Sequence, residues 1–400
     1  RRSSDLSDAV RQQGPDSANE NSHDCFYGRP KAEDSVEHQP LNEVIQAETL
    51  PFGTRLGSFG VEVWDSTTLM QGSGTIVWEN KDKYVGDLKD GKPNGQGNLA
   101  CSDGTAYEGS WLDGAFEGFG SLKLADGDIY KGDFVKGKMH GKGVFTYTNG
   151  DWYEGELLED QMTGEGIFRY SNGGVYQGFL LNGNAHGKGL MIWPSGVSYE
   201  GEWANDLREG YGVYKYADGS IYRGFWLKDM RHGYGELNDD SDEFKFWYKG
   251  LWVNGRYSGF GVAKNEDGSI YQGSFEDGLR EGYGTITWPD GEWYEGELAK
   301  DMLTGQGTFK HAEGIVYTGS WFESEKHGVG KATYPDGEWY EGQWVKDEVS
   351  GEGTLQYADG GVYKGSFLDG ERHGFGAMTW PDGSAYEGEW RDDEKWPHGE

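Results

Sequence analysis

The ten residues WPDGEWYEGE, Trp288 to Glu297, hold the groups that a sugar-cleaving site uses. Asp290, Glu292, Glu295 and Glu297 are carboxylates of the kind that serve as general acid, base or nucleophile, and Trp288, Trp293 and Tyr294 are rings on which a sugar could stack. Such chemistry needs one pair of carboxylates at one fixed separation. The pair Glu295/Glu297 is not unique. Glu154/Glu156, Glu200/Glu202 and Glu387/Glu389 stand on the same Tyr-Glu-Gly-Glu frame. An active site occurs once, whereas a motif that recurs along the chain is a structural element. No catalytic residue is assigned.

The element that positions these groups is a repeat. Tyr-x-Gly stands at Tyr84, Tyr107, Tyr130, Tyr153, Tyr176, Tyr199 and Tyr222, each 23 residues after the last, and resumes at Tyr248, Tyr271, Tyr294, Tyr317, Tyr340, Tyr363 and Tyr386. The one longer step, from Tyr222 to Tyr248, contains NDDSDEF and three added residues. Gly-x-Gly keeps the same beat from Gly95/Gly97 to Gly374/Gly376.

Each repeat reads as a β-hairpin. In YEGEW, Tyr386, Gly388 and Trp390 share one face and Glu387 and Glu389 the other. The position four after each Tyr is aromatic or Leu throughout, from Leu88 and Trp111 to Phe367 and Trp390. Asp103-Gly104, Asn149-Gly150, Asp290-Gly291 and Asp382-Gly383 offer the positive φ that tight connections need. Simple antiparallel pairing places Trp226 opposite Gly233, Gly224 opposite Gly235 and Tyr222 opposite Leu237. Facing glycines leave a hollow that neighbouring rings can cross. A hairpin with so little side-chain volume does not fold alone, but stacked copies do. The expected fold is all-β, an elongated twisted single-sheet solenoid of tandem β-hairpins, roughly 130 Å long at ~4.8 Å per strand.

The expected organisation has three parts. Residues 1–55 are polar and read as a largely disordered or extended arm, in which Leu41–Gly53 is apolar enough to dock on the open edge of the first hairpin. Residues 56–83 read as a degenerate first hairpin or cap, and 84–400 as the array, with a three-residue insertion near 238–244. A net charge of −33 without a basic stripe argues against nucleic acid and against broad attraction to anionic lipid. Cys25 and Cys101 make no disulfide framework, which fits a reducing compartment. No apolar run reaches the ~18 residues of a membrane span, and residues 1–30 carry no signal-peptide core.

On the frame YEGEW…HGxG…WPDG, over roughly residues 70–400, the sequence resembles the MORN repeat family. Choline- and glucan-binding hairpins share the composition but carry GW…WYY pairs that this unit lacks. The resemblance implies a stand-alone, non-enzymatic scaffold or adaptor that needs no cofactor and organises a multiprotein assembly, cytoskeletal or axonemal in kind. It also implies association as an extended homodimer. Two further roles of the family stay open: a membrane-tethering, lipid-binding module, and a regulatory appendage of an enzyme whose catalytic domain is absent from this chain. The expected location is cytoplasmic and cytoskeleton-associated. The chain opens on RRSSDLSDAV without Met, as a processed product would, so an organelle such as a plastid also stays open.

Two features depart from the plain repeat. His140, His186 and His232 are spaced 46 residues apart, as are His327 and His373. On the strand spacing, histidines two hairpins apart stand ~19 Å from each other, too far to share a zinc ion, so they read as structural turn residues. The face opposite the tyrosines is mostly polar, as at Lys142, Glu154, Glu165 and Lys188, but turns apolar in the middle of the array. Simple pairing puts Phe225 opposite Tyr234 and Leu251 opposite Phe260, with Tyr211 and Tyr283 flanking. These six residues read either as a bend or dimer contact, or as a groove for a partner's amphipathic helix or extended peptide. Asp239, Asp240, Asp242 and Glu243 beside them would attract basic residues on that partner, and lack the glycine and spacing of a calcium loop.

Overall fold

The computed structural model describes residues 71–238 and 246–396, and among them every regular element is a β-strand. The arm 1–55, the start of the hairpin expected at 56–83, and Asp239, Asp240, Asp242 and Glu243 lie outside the described residues. The strands fall into two compact units divided between Ala217 and Asp218. In the first, β1 (Gly72–Val77), β2 (Lys83–Lys89) and β3 (Lys92–Ala100) begin a meander that runs to β13 (Leu207–Lys215). In the second, an equivalent meander starts at β14 (Ile221–Leu227) and β15 (Met230–Asn238) and ends at β28 (Ala385–Arg391) and the short β29 (Glu394–Lys395). Within each unit every strand pairs antiparallel with the next one in the chain, as the tandem hairpins require.

The hairpin of β20 (Trp293–Ala299) and β21 (Met302–Lys310) shows how one repeat works. Gly296 faces Gly307, and the register then shifts, so that Glu297 faces Thr304 and Gly305 and Gln306 are extra. This β-bulge takes the Glu297 carbonyl out of its regular place in the ladder. Tyr294, fully buried, lies across the facing glycines and donates its hydroxyl to that carbonyl at 2.8 Å. A Cβ added to Gly307 would stand 2.6 Å from Tyr294 Cζ, and one added to Gly296 would meet the Gly307 Cα at 2.5 Å. Only glycine fits either place. The same hydroxyl-to-carbonyl bond recurs at every Tyr-x-Gly, from Tyr84 to Tyr386.

The bulge corrects one expected contact. Tyr222 does face Leu237 and Gly224 does face Gly235, but Trp226 faces Arg231. Gly233 pairs instead with Trp252 on the following strand, β16 (Trp247–Val253). Uniform two-residue alternation cannot anticipate this, because the bulge adds residues to only one strand of the pair.

Stacking closes the core. Within a unit, where the position four after a Tyr is aromatic, the ring meets two tyrosines, its own and that of the preceding repeat. Thus Tyr317, Trp344, Tyr340, Phe367, Tyr363, Trp390 and Tyr386 form one column, with ring centroids 5.1–5.4 Å apart and nearly perpendicular planes. Edge-to-face pairs of this kind add about 0.5–1.5 kcal/mol each beyond area burial. Trp344 and Trp390 also donate Nε1–H to the carbonyls of Gly330 and Gly376 in the preceding hairpins, both at 3.1 Å.

The two edges of the sheet use different turns. In the Asp-Gly connections only the glycine takes positive φ, as Gly291 does at +90°, while Asp290 Oδ1 accepts from the Glu292 N–H at 3.2 Å. The two-residue tips between β20 and β21 and their equivalents put both residues in the left-handed region. Where the second is Gly278, its N–H reaches the Tyr257 carbonyl of the preceding hairpin. Where it is Asp301, at φ +69°, the same N–H bond to Arg280 is joined by one from Arg280 N–H to Asp301 Oδ1 at 2.9 Å. The left-handed conformation costs a non-glycine residue about 1–2 kcal/mol, and a hydrogen bond to a charged acceptor returns a comparable amount.

Two predictions follow from the buried phenols. Tyr294→Phe should lower stability by about 1–3 kcal/mol by leaving the Glu297 carbonyl without its donor, and Gly307→Ala should cost more. Denaturant unfolding of the whole chain, with hydrogen exchange to localise the loss, would refute the capping role if Tyr294→Phe were neutral. Burial, with Asp87 nearby, pushes the Tyr84 phenol up to about 12, and burial chiefly does the same at Tyr107 and Tyr271. An unfolded tyrosine titrates near 10. The stability this difference supplies is therefore complete below pH ~10 and is lost as pH rises from there toward ~12. Core tyrosinate absorbance should appear together with loss of the β-sheet circular dichroism. Ionisation of all tyrosines with the sheet signal intact would contradict this.

Candidate partner-binding surface

Each carboxylate of Trp288–Glu297 has a structural partner. Asp290 caps its own turn, and Glu292 Oε1 lies 3.1 Å from His311 Nε2 in the next connection. Glu295 accepts the Tyr283 hydroxyl at 3.0 Å, and Glu297 Oε1 accepts the Gln306 N–H at 3.2 Å. The last of these is the second consequence of the bulge. Its inner orphan, a carbonyl, is capped by tyrosine, and its outer one, the N–H between the two glycines, by the bulge residue itself. Asp87 caps the Gln96 N–H and Gln343 caps the Glu352 N–H in the same way.

The outer face is therefore written largely by two positions per hairpin, the bulge residue and the residue between the glycines. All six candidate residues hold one of these positions and are exposed, between 44% and 59%. Tyr211 lies on β13 in the first unit. Phe225, Tyr234, Leu251, Phe260 and Tyr283 lie in the second, on β14, β15, β16, β17 (Arg256–Lys264) and β19 (Leu279–Thr287). The expected partners within each hairpin are again displaced. Leu251 faces Ser258 rather than Phe260, and the Phe225 Cβ lies 3.3 Å from where a Cβ on Gly233 would be. Tyr234 faces Leu251 across the next interface, and Phe260 faces Ser274 on β18 (Ile270–Glu276). Within the second unit Phe225, Tyr234, Leu251 and Phe260 form one row across β14 to β17 instead of two facing pairs. The insertion leaves the ladder intact, since Gly235 pairs with Gly250 as the glycines of other repeats do.

Two features escaped the sequence reading. Phe119, Val329 and Phe375 hold the position between the glycines and are also exposed, so outward apolar residues are not confined to the middle of the array. Beside the hairpin tips, the position five after each Tyr is often an exposed aliphatic, as at Leu112, Leu158, Leu227, Val253 and Leu368. The same 23-residue count would have found it. The histidines sit at a position next to the tips, where Glu117 and Glu281 accept the N–H of Lys136 and Lys300, both at 2.9 Å. His373 Nδ1 lies 3.5 Å from Asp392 Oδ1 at its tip. Among the described residues no cluster of His, Cys, Asp or Glu could hold a metal ion, and no helix is long and apolar enough to cross a membrane.

A family model described as the MORN repeat matches fourteen consecutive windows, from residues 84–106 to 386–399. The chain belongs to the MORN repeat family. The windows begin at each Tyr-x-Gly, so the family unit coincides with one bulged hairpin. MORN repeats are associated with protein–protein or membrane interaction. A comparison with curated proteins finds no match. Among solved structures, the wild-type TCP10 domain of Danio rerio CPAP is 13% identical over 68% of this chain and 99% of that chain, with a TM-score of 0.14. The Drosophila melanogaster SAS-4 TCP domain in complex with a proline-rich motif of Ana2 is 13% identical over 61% and 99%, with a TM-score of 0.14. Virginiamycin B lyase from Staphylococcus aureus is 12% identical over 74% and 96%, with a TM-score of 0.13. Scores this low carry no argument from those proteins to this MORN array.

The bulge account is testable at the candidate row. Phe225→Glu puts a carboxylate where Asp87 and Glu297 place theirs. It should leave stability within about 0.5 kcal/mol of the parent or raise it by about 1 kcal/mol, as read by denaturant unfolding. A loss of more than about 2 kcal/mol would mean that the Phe225 ring is core.

Proposed function

We propose that this MORN-repeat protein is a non-enzymatic scaffold or adaptor that organises a multiprotein assembly, cytoskeletal or axonemal in kind and cytoplasmic in place. The observation that carries this reading is the exposed row Phe225, Tyr234, Leu251, Phe260 and Tyr283, set on a repeat whose inward face is occupied by its own packing. Neighbouring strands stand ~4.8 Å apart, so the row offers anchors at a spacing suited to a partner's helix or extended segment lying across the strands. The carboxylates that suggest catalysis are engaged in turns and bulges, which favours a binding role over an enzymatic one.

Crosslinking mass spectrometry on the native assembly tests the proposal, because Lys249 and Lys264 bring amines to the strands of the row. Links from these lysines to one non-self protein are expected. Self-links alone would make the chain a homo-oligomeric scaffold and assign the row to assembly. Tyr234→Ser combined with Phe260→Ser should keep the thermal midpoint close to the parent, since both rings are more than half exposed, and should weaken capture of the crosslinked protein. Unfolding of this variant would place the row in the core.

A further inference from the structure

On the strands that carry the row, the balance of outward charge runs against that of the chain. The chain carries a net −33. Yet the outward positions of β14–β17 hold Arg223, Lys249, Arg256 and Lys264 against the single carboxylate of Glu236. Arg223 faces Glu236, which faces Lys249 and pairs with it at 3.7 Å, so one carboxylate stands between two cations. This charged row is two residues along the strands from the apolar row, ~7 Å away. Arg256 lies on the opposite flank, toward the tips. The acids of residues 239–243 belong to the connection outside the described residues.

The bulge position of these hairpins is apolar, as Phe179 also is on β10 (Val175–Leu181), whereas the other repeats carry Asp, Glu, Gln or Ser there. Asp87, Glu297 and Gln343 supply an acceptor to the N–H between the glycines. In the β14–β15 and β16–β17 hairpins the bulge residues are Phe225 and Leu251, which have no acceptor to supply to Tyr234 and Phe260. Apolar side chains at both outward bulge positions and flanking cations thus coincide on four adjacent strands.

We infer that the occupant of this face is an acidic amphipathic segment of a partner protein, the reverse of the basic segment expected from the acids of residues 239–243. Its apolar side chains lie along Phe225, Tyr234, Leu251 and Phe260, and its carboxylates reach Arg223 and Lys249, while Arg256 on the other flank is already paired with Asp277 at 3.8 Å. The inference rests on the scaffold reading and adds the chemistry of the partner to it. An anionic bilayer is the weaker occupant, because four cations must hold it against a chain that is acidic as a whole.

The test uses the full chain and two fluorescent probes of equal length, an amphipathic Leu/Glu peptide and its Leu/Lys counterpart, read by anisotropy. The Leu/Glu peptide should bind the parent, and its affinity should fall about tenfold or more in Arg223→Glu combined with Lys249→Glu. Those exposed charges can be reversed without touching the tyrosine core, and circular dichroism checks that the fold is kept. The charge-reversed chain should in turn gain affinity for the Leu/Lys peptide. Unchanged Leu/Glu binding after charge reversal overturns the inference. So does flotation of the parent with phosphatidylserine vesicles that charge reversal abolishes, which would assign the cations to lipid. Native crosslinking separates the two levels of the argument. A partner lost on replacing Tyr234 and Phe260 but kept on charge reversal retains the surface and refutes the acidic occupant. A partner kept by both variants refutes the surface itself.

Discussion

The fold depends on one hydroxyl reaching one carbonyl across two glycines. In each repeat the bulge opens a place in the ladder, the glycine pair clears the space above it, and the tyrosine fills that space and caps the carbonyl. No part works alone. Alanine at either glycine would displace the ring, and phenylalanine would fill the hollow but leave the carbonyl without its donor. This mutual requirement explains why Tyr-x-Gly and Gly-x-Gly recur at a fixed offset while the residues between them vary. It also explains how a chain with 69 glycines and a 35% hydrophobic share builds a core at all. The volume comes from a few large rings that span backbone instead of side chains.

Adjacent hairpins are held by directional contacts more than by area. Ring edges meet ring faces along the column, Trp Nε1 reaches back to the preceding glycine carbonyl, and the tip N–H bonds to the hairpin before it. Each contact joins nearest neighbours only, so stability should add repeat by repeat. The tips show two solutions to one problem. Glycine makes the left-handed turn at no steric cost, whereas Asp301 accepts that cost and gains a second bond to Arg280, itself buried against it.

The sequence made the inward code legible because that code is locked to the period. The tyrosines, the glycine pairs, the aromatic column and the Asp-Gly connections could all be read by counting. The register within each hairpin could not. Alternation assumes equal residue numbers on both strands, while Gly233 and Tyr234 are extra relative to β14. That single miscount moved the outward pairings on the tip side of the glycines, where Phe225 lost Tyr234 and Leu251 lost Phe260, and left Arg223 opposite Glu236. The exposure of the candidate residues survived the error, because a residue's face depends on its own strand, whereas its partner depends on the bulge. The carboxylates of Trp288–Glu297 were likewise recognisable as repeat residues, but the separate tasks of Glu292, Glu295 and Glu297 were not, since these are set by neighbours 9 to 19 residues away.

Building the core almost entirely from uncharged residues, with Arg280 an exception, places nearly all the charge on turns and outward positions. The surface field then reports the identity of freely varying residues. For most of the chain that field is negative, and like charges on neighbouring strands lie well within the ~10 Å Debye length of dilute salt, so the acidic stretches repel one another and any acidic partner. A cluster of outward cations leaves the inward core unchanged, because Arg223 and Lys249 stand on the face opposite the tyrosines, and its effect on recognition is local. An acidic segment is disfavoured along the acidic stretches and accepted there, where hydrocarbon also holds both outward bulge positions. Discrimination of this kind arises as much from repulsion elsewhere as from attraction at the site. A repeat protein can thus hold one backbone constant and still address a single partner, by changing two outward residues in each of two hairpins.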